Sequence, residues 1–413
     1  MRLTRRQAGA VVGALGGALL LISAIVTTPA TSAHTGASHP RYRVTLLGSL
    51  GGTSGAGSSV NDRGWVAGFS NLPGDQNTHA VVWRQGKAID LGTLGGPNSA
   101  VLWPVKNNQG LVAGVAETAR TDPLGEAWSC SFFFPSATGH TCLGFVWQDG
   151  HMRGLPTLGG DNGFATGANK LGQVVGWAEN RVHDPTCNPP QVLQFRAMVW
   201  DTRHGHPRAR ELPPLRGDTT SAATAINDHG QIAGISGVCD NAVGRFSAAH
   251  AVLWEHGKAL DLGSLGGVAW NTPMAIDQQG QVVGFANLPL PGGDPGAFDA
   301  YAFLWTRDGG MRDLGALPGD TTSQALGVNG RGQVVGISCG TGGCRAVLWE
   351  HGAMTDLNAL LAPGFGGHLV VANDISDAGA ITGQAVNPAT GAAVAFRATP
   401  APGPAPGPAG GEG

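Results

Sequence analysis

The sequence predicts an all-β fold, a seven-bladed β-propeller of four-stranded antiparallel blades closed by an N-terminal strand, and three observations predict it. Two phrases recur seven times at intervals of about 50 residues, the length of a four-stranded blade. Of 413 residues, 68 are Gly and only 13% are charged, a composition of short strands and tight turns rather than of helix surfaces. The two ends of the repeated region carry complementary fragments of one repeat.

The first phrase is a hairpin. It reads Val60-Asn61-Asp62-Arg63-Gly64-Trp65-Val66-Ala67-Gly68 and returns at Val105–Gly114, Asn169–Gly176, Ile226–Gly234, Ile276–Gly284, Val328–Gly336 and Ile375–Gly383. Asn or Asp followed by Gly between β-branched residues marks a tight reversal, because these residues accept the positive φ it needs. This turn joins strands a and b. The second phrase ends a strand on an aromatic residue, turns and runs into another strand, as in Ala251-Val252-Leu253-Trp254, Glu255-His256-Gly257 and Leu260-Asp261-Leu262. Its aromatic falls at Trp83, Trp147, Trp200, Trp254, Trp305, Trp349 and Phe396. These are strands c and d. Small residues in strand a (Ser58, Ser59, Ala222, Ala223, Ala275) suit the crowded axis, and Lys87, Arg153, Lys258 and Arg312 put strand d on the rim.

The segment Tyr42–Gly52 matches strand d, while the last ordered phrase, Ala393–Arg397, matches strand c. The seventh blade therefore lacks a d strand that the N-terminus supplies, which closes the ring and leaves no bare sheet edge. An open solenoid of the same units would carry atypical capping repeats, and none is visible. The propeller domain is thus expected over residues 42–399, behind a linker at 34–41.

Residues 1–33 read as an export signal peptide: Arg2, Arg5 and Arg6, an apolar stretch from Ala8 to Val26, and small residues ending Thr31-Ser32-Ala33. Thr4-Arg5-Arg6-Gln7 resembles a twin-arginine motif without the apolar residues that should follow it, so the export route stays open. The apolar stretch approaches transmembrane length, and an uncleaved anchor is the competing reading. No second stretch of spanning length follows. Residues 400–413 form a Pro/Gly/Ala run that cannot bury enough apolar area to order itself. A net charge of −3 without a basic stripe argues against nucleic acid as a partner, and the expected form is a secreted monomer.

The start of strand c reads His79-Ala80-Val81, Arg196-Ala197-Met198, His250-Ala251-Val252, Tyr301-Ala302-Phe303 and Arg345-Ala346-Val347. Together with the linked hairpin phrases, from Tyr42 to Ala398, it resembles the HAF-type extracellular repeat family of bacteria, named for His-Ala-Phe at this place. The resemblance implies a secreted or surface location and carries no activity or catalytic residue.

Six cysteines in an exported chain predict disulfides, and all six follow a strand b. Pairing by nearness gives Cys130–Cys142, Cys187–Cys239 and Cys339–Cys344. A metal site is not expected, since the six do not form two close pairs converging on one tetrahedron, and His183 beside Cys187 is incidental. The Asn-Asp hairpins lack the alternating oxygen ligands of a calcium loop.

The b-to-c and d-to-a connections of a propeller emerge on one face. Here they hold the long insertions, from about Glu117 to Leu143, Glu179 to Phe195, Val238 to Ala248 and Asn287 to Asp299, which makes this the expected binding face. The regular Trp series is expected to be packing between blades rather than a sugar ladder. The off-repeat aromatics Trp128, Phe133 and Trp270 are the candidate ligand-binding residues, on condition that they face solvent; the alternative is a small core inside a long loop. Asp161, Asp218 and Asp320 could act as paired acids only if two converged, and their recurrence after Gly favours a turn-capping role. No nucleophile elbow, phosphate loop, dinucleotide fingerprint or metalloprotease helix is present, so no catalytic residue or cofactor is assigned. The sequence therefore points to a non-catalytic binding or structural module for a cell-wall glycan or an extracellular protein. A propeller-fold polysaccharide hydrolase or lyase is the alternative.

Overall fold

The computed structural model describes residues 41–401 apart from 127–131, 204–206 and 241–242. The expected signal peptide and linker fall outside the described residues, as does the tail beyond Ala401. Seven four-stranded antiparallel sheets form a seven-bladed β-propeller, with two single-turn 3-10 helices at Arg245–Ala248 and Leu357–Leu360. In chain order the blades begin with strand a at Gly55–Val60, Gly95–Ala100, Gly163–Ala168, Thr220–Ile226, Thr272–Ile276, Asp320–Val328 and His368–Ile375. We number them 1 to 7.

Closure follows the composite blade read from the sequence. Tyr42–Leu46 pairs antiparallel with Ala393–Pro400, Tyr42 opposite Pro400 and Leu46 opposite Phe396. Blades 7 and 1 then meet through side chains: Asn373 Nδ2 donates to Gly57 O at 2.9 Å and Gln384 Nε2 to Gly55 O at 3.1 Å.

The turn chemistry accounts for the hairpins. In blade 4, Asn227 Oδ1 accepts the backbone N–H of His229 and of Gln231, at 3.1 and 3.0 Å, and Gly230 takes a φ of 77°. A β-carbon there would be strained, which is why glycine holds the fifth place of the phrase. The Gly inside strand b has a different cause. Strand a bulges opposite it, between Ala223 and Ala225 in blade 4, and a Cβ on Gly234 would overlap the carbonyl oxygen of Ala222. The same overlap awaits at Gly68, Gly114, Gly176, Gly284, Gly336 and Gly383.

The strand c aromatics are buried between blades. Trp83, Trp200, Trp254 and Trp349 each donate Nε1–H to a carbonyl at the end of strand d of the preceding blade or just beyond it: Gly48, Pro156, Pro213 and Leu314, at 2.7–3.0 Å. Each indole thus joins neighbouring sheets by packing and by one directed bond, as expected for a buried Trp.

Candidate functional site

The loops on the b-to-c face form one connected cap over blades 1 to 5. Part of the expected insertion length is strand: strand b runs to Thr121 in blade 2 and to His183 in blade 3, past bulges after Glu117 and Glu179. Ser136 Oγ, from the blade 2 loop, donates to Gln76 O of blade 1 at 2.9 Å. Glu126 Oε1, from the same loop, accepts the N–H groups of Val192 and Leu193 in blade 3, at 3.1 and 2.7 Å. The disulfide Cys187–Cys239 joins the loops of blades 3 and 4, and Asn188 donates beside it to Asp240 O and Oδ1 at 2.7 and 2.9 Å. Trp270 N donates to Arg245 O, and its Nε1–H to Gly296 O in the blade 5 loop, both at 3.0 Å. Blades 6 and 7 stand apart. Their b-to-c connections are short, and Cys339–Cys344 bridges directly opposed residues of a single hairpin.

Beneath the cap the axis is packed. One apolar cluster takes a strand a residue from every blade: Ala56, Ala100, Phe164, Ala222, Met274, Leu326 and Val371. Strand a of blade 2 stops at Ala100, and the irregular chain that follows sends Trp103 into this cluster, 5.1 Å from the Phe164 ring and 5.7 Å from that of Trp177. Close-packed aromatics rather than convergent acids thus lie at the cap end of the ring.

Of the predicted ligand contacts, Trp270 is buried, at 8% exposure, with its ring edge against Phe298 at 5.4 Å. Phe133 is half-buried, edge-on to Phe164 at 5.3 Å and Trp103 at 6.1 Å. Both serve the cap's own core, because a loop this long folds stably only around apolar side chains of its own. Trp128 and Cys130 lie outside the described residues; Cys142 is in a disulfide.

The three recurrent aspartates occupy separate blade junctions and do not meet. Asp161 pairs with Arg120 at 3.1 Å. Asp218 accepts from Ser236 Oγ at 2.6 Å, and Asp320 accepts from Ser338 Oγ at 2.7 Å and pairs with Arg345 at 2.8 Å. The same serines accept the N–H of Leu215 and Leu317, at 2.9 and 3.0 Å. Aspartate and serine together tie the d-to-a turn to strand b.

A different set of acids does converge. Glu117 and Glu179 stand just before the bulge in strand b of blades 2 and 3, where blades 1 and 5 carry Asn71 and Asn287, and both are fully buried. Glu117 accepts from Asn98 Nδ2 at 2.9 Å and from Thr138 Oγ1. Glu179 accepts the N–H of Asn162 at 2.8 Å and Gln191 Nε2 at 3.2 Å, while Gln191 Nε2 also donates to Glu126 Oε2 at 2.9 Å. Burial, then the hydrogen bond and charge of Glu126, push the Glu179 carboxyl well above its usual range. Two carboxyls with a shared proton can act as acid and base, but backbone and amide donors already occupy these oxygens and hold two loops together. The legible signal was Val-Ala-Glu and Trp-Ala-Glu, a charged residue closing an otherwise apolar run; Glu126, in irregular chain, had none.

Aliphatic side chains emerge from the cap. Leu124, Val182, Val238 and Val268 are 40, 50, 37 and 58% exposed, and they come from the loop-face connections of blades 2, 3 and 4. On the opposite face a groove of about 520 Å³ lies between blades 3 and 4, lined by Arg210, His229, Gln231, Trp254, Glu255 and His256. Gln231 and Arg307 hydrogen-bond the Glu255 carboxylate there and hold it below its usual range. Among the described residues, no cluster of three or more His, Cys, Asp or Glu could hold a metal ion, and no helix is long and apolar enough to cross a membrane.

No known family profile matches the chain, and no curated protein matches it. Solved structures are similar at low identity. The acylaminoacyl peptidase of Pyrococcus horikoshii matches 83% of this chain at 12% identity and a TM-score of 0.41; the chain spans 51% of that enzyme's length. A gluconolactonase of Xanthomonas campestris matches 63% of the chain, and 79% of its own, at 13% identity and a TM-score of 0.32. An ulvan lyase matches 86% of the chain, and 94% of its own, at 8% identity and a TM-score of 0.38. None of these likenesses supplies a residue role or an activity for this chain.

Proposed function

We propose that this protein is an extracellular, non-catalytic binding scaffold whose capped face, over blades 2 to 4, docks another extracellular or cell-surface protein. The observation that carries the reading is the arc of exposed Leu124, Val182, Val238 and Val268 on loops braced by a disulfide and by bonds between blades. Of the exposed large apolar side chains among the described residues, these four lie on the braced loop face, with Leu171 in a tight turn and Leu260 on a strand d, and such clustering on one rigid face marks an interaction site. Their chemistry favours a protein over a glycan: sugars stack on exposed aromatic rings, and here Trp103, Phe134 and Trp270 are turned into the core. The disulfides and the HAF-type resemblance support an extracellular placement. Catalysis is the weaker reading, because the recurrent aspartates hold turns and the converging glutamates are buried in bonds.

The test is binding of the mature protein to washed cells of the producing organism. The expected result is saturable binding that protease treatment of the cells abolishes and polysaccharide digestion spares. The fourfold variant Leu124→Asp, Val182→Asp, Val238→Asp, Val268→Asp should remain folded and lose at least tenfold in affinity, since each residue forfeits apolar burial of about 1.4 kcal/mol or more at an interface. Unchanged binding by the variant, or loss of binding on polysaccharide digestion alone, overturns the reading.

A further inference from the structure

The Glu126–Glu179 pair sits where the cap is built. Glu126 belongs to the blade 2 loop, Glu179 to strand b of blade 3, and Gln191 to the blade 3 loop that Cys187 ties to blade 4. Gln191 holds the two carboxyls at one point. Its amide nitrogen has two hydrogens and three acceptors in reach: Glu126 Oε2 at 2.9 Å, Glu179 Oε1 at 3.2 Å and Leu193 O at 2.7 Å. Rotating the amide would set its oxygen against those same three acceptors. The two carboxyls, 2% and 0% exposed, therefore meet at one buried amide nitrogen, where a proton held between them would remove the repulsion of two charges out of water.

We infer that the Glu126–Glu179 pair is a proton-operated latch on the docking face: sharing one proton it locks the blade 2 loop to the blade 3 loop, and losing that proton it releases them. This rests on the docking reading only for what the latch regulates. The other groups facing the junction are acidic or neutral. Asp122 caps the Leu124, Gly125 and Glu126 N–H groups and accepts from Asn162 Nδ2 at 3.2 Å. Asp184, from the blade 3 loop, accepts from Thr186 Oγ1 at 2.6 Å and Gln194 Nε2 at 3.0 Å; those bonds outweigh its burial and keep it below the usual range. Arg120 is committed to Asp161.

The direction follows from linkage. A carboxyl whose folded pKa is raised binds more protons folded than unfolded between its ordinary value, 4.5 for Glu179, and the raised one. Across that window stability falls as pH rises. The cap is therefore closed in acid and loosens towards neutral and alkaline pH, the reverse of acid denaturation.

The experiment is hydrogen exchange with mass spectrometry on the mature protein between pH 4.5 and 8.5, corrected for intrinsic exchange. In the wild type, peptides covering residues 121–140 and 184–194 should lose protection as pH rises, by up to about tenfold per pH unit within the window. Peptides of blades 6 and 7 should stay flat. Glu179→Gln, which has no proton to lose, should keep the cap protected at every pH. A flat wild-type profile, or a Glu179→Gln profile like the wild type's, overturns the latch. Cell binding of the same two proteins at pH 5 and pH 8 separates the two proposals: a working latch with no change in binding sinks the docking assignment alone.

Discussion

The two faces of the ring are built by opposite strategies. On the tight-turn face one device is copied around the axis. Asn61, Asn107, Asn169, Asn227 and Asn329 each donate an amide hydrogen to the backbone carbonyl at the same place in the next blade, at 2.9–3.2 Å. On the loop face the b-to-c connections differ from blade to blade, and cohesion between them comes from a disulfide, a carboxyl pair and buried aromatics, each placed at a different junction. A repeated bond makes a ring of fixed diameter and tolerates no insertion, because each member must reach its neighbour. Singular bonds leave loop length free, so variation and binding can collect there.

The comparison makes its largest prediction at the disulfides. Cys187–Cys239 spans 52 residues and joins two blades, whereas Cys339–Cys344 spans 5 within one hairpin. Chain entropy alone assigns about 4 kcal/mol to the first and about 2 kcal/mol to the second. Urea unfolding of Cys187→Ser/Cys239→Ser should therefore lose about twice the stability that Cys339→Ser/Cys344→Ser loses. Equal losses would mean that the cap is held by its other contacts and that the bridge between blades is redundant.

A smaller effect is expected at a point where the tight-turn face departs from its repeat. Lys106 reaches across from blade 2 to the carbonyls of Val328 and Ile375 and pairs with Asp374 at 3.4 Å. Asp374 is fully buried and also accepts the N–H groups of Val60 and Ile375, both at 2.9 Å. Its carboxyl stands above its usual range, burial outweighing the pull of Lys106. Lys106→Met strands this group, at a cost of about 3 kcal/mol near neutral pH. The loss should shrink in acid, where Asp374 is protonated and needs no partner. A loss independent of pH would show that the lysine acts through its carbonyl bonds.

These features were unequally legible in the sequence. The blades, their strand order and the closing strand could be read because each rests on local chemistry repeated from blade to blade: a turn residue, a glycine, an aromatic ring. The pairing Cys187–Cys239 could be read because few alternatives remained. The packed axis could not, since Trp103 lies in a stretch whose neighbours still look like strand a, and only the early end of that strand turns the indole inward. Nor could the burial of Trp270, which depends on Gly296 of the following blade being in reach. Phe133 and Trp270 were candidate ligand contacts only on condition of exposure, because sequence marks an aromatic as exceptional without saying which way it faces. Glu126 shows the same limit: its meaning lies in Val192 and Leu193, more than sixty residues away.

The smallest effect tests the copied device directly. Asp277 takes the asparagine's place in blade 5 and accepts the N–H groups of Gln279 and Gln281 as its counterparts do, at 2.9 and 2.8 Å. A carboxylate has no amide hydrogen to pass on to Asn329. Burial raises its pKa above the ordinary 3.8, so the folded ring holds a proton there that the unfolded chain releases, and stability drops as pH climbs from 3.8 through the raised value. Asp277→Asn restores the donor and removes the charge. It should stabilise the protein by about 1 kcal/mol at neutral pH and by almost nothing in acid, where the protonated aspartic acid already donates. A variant no more stable at pH 7 than the wild type would show that the amides record the geometry of the ring without holding it.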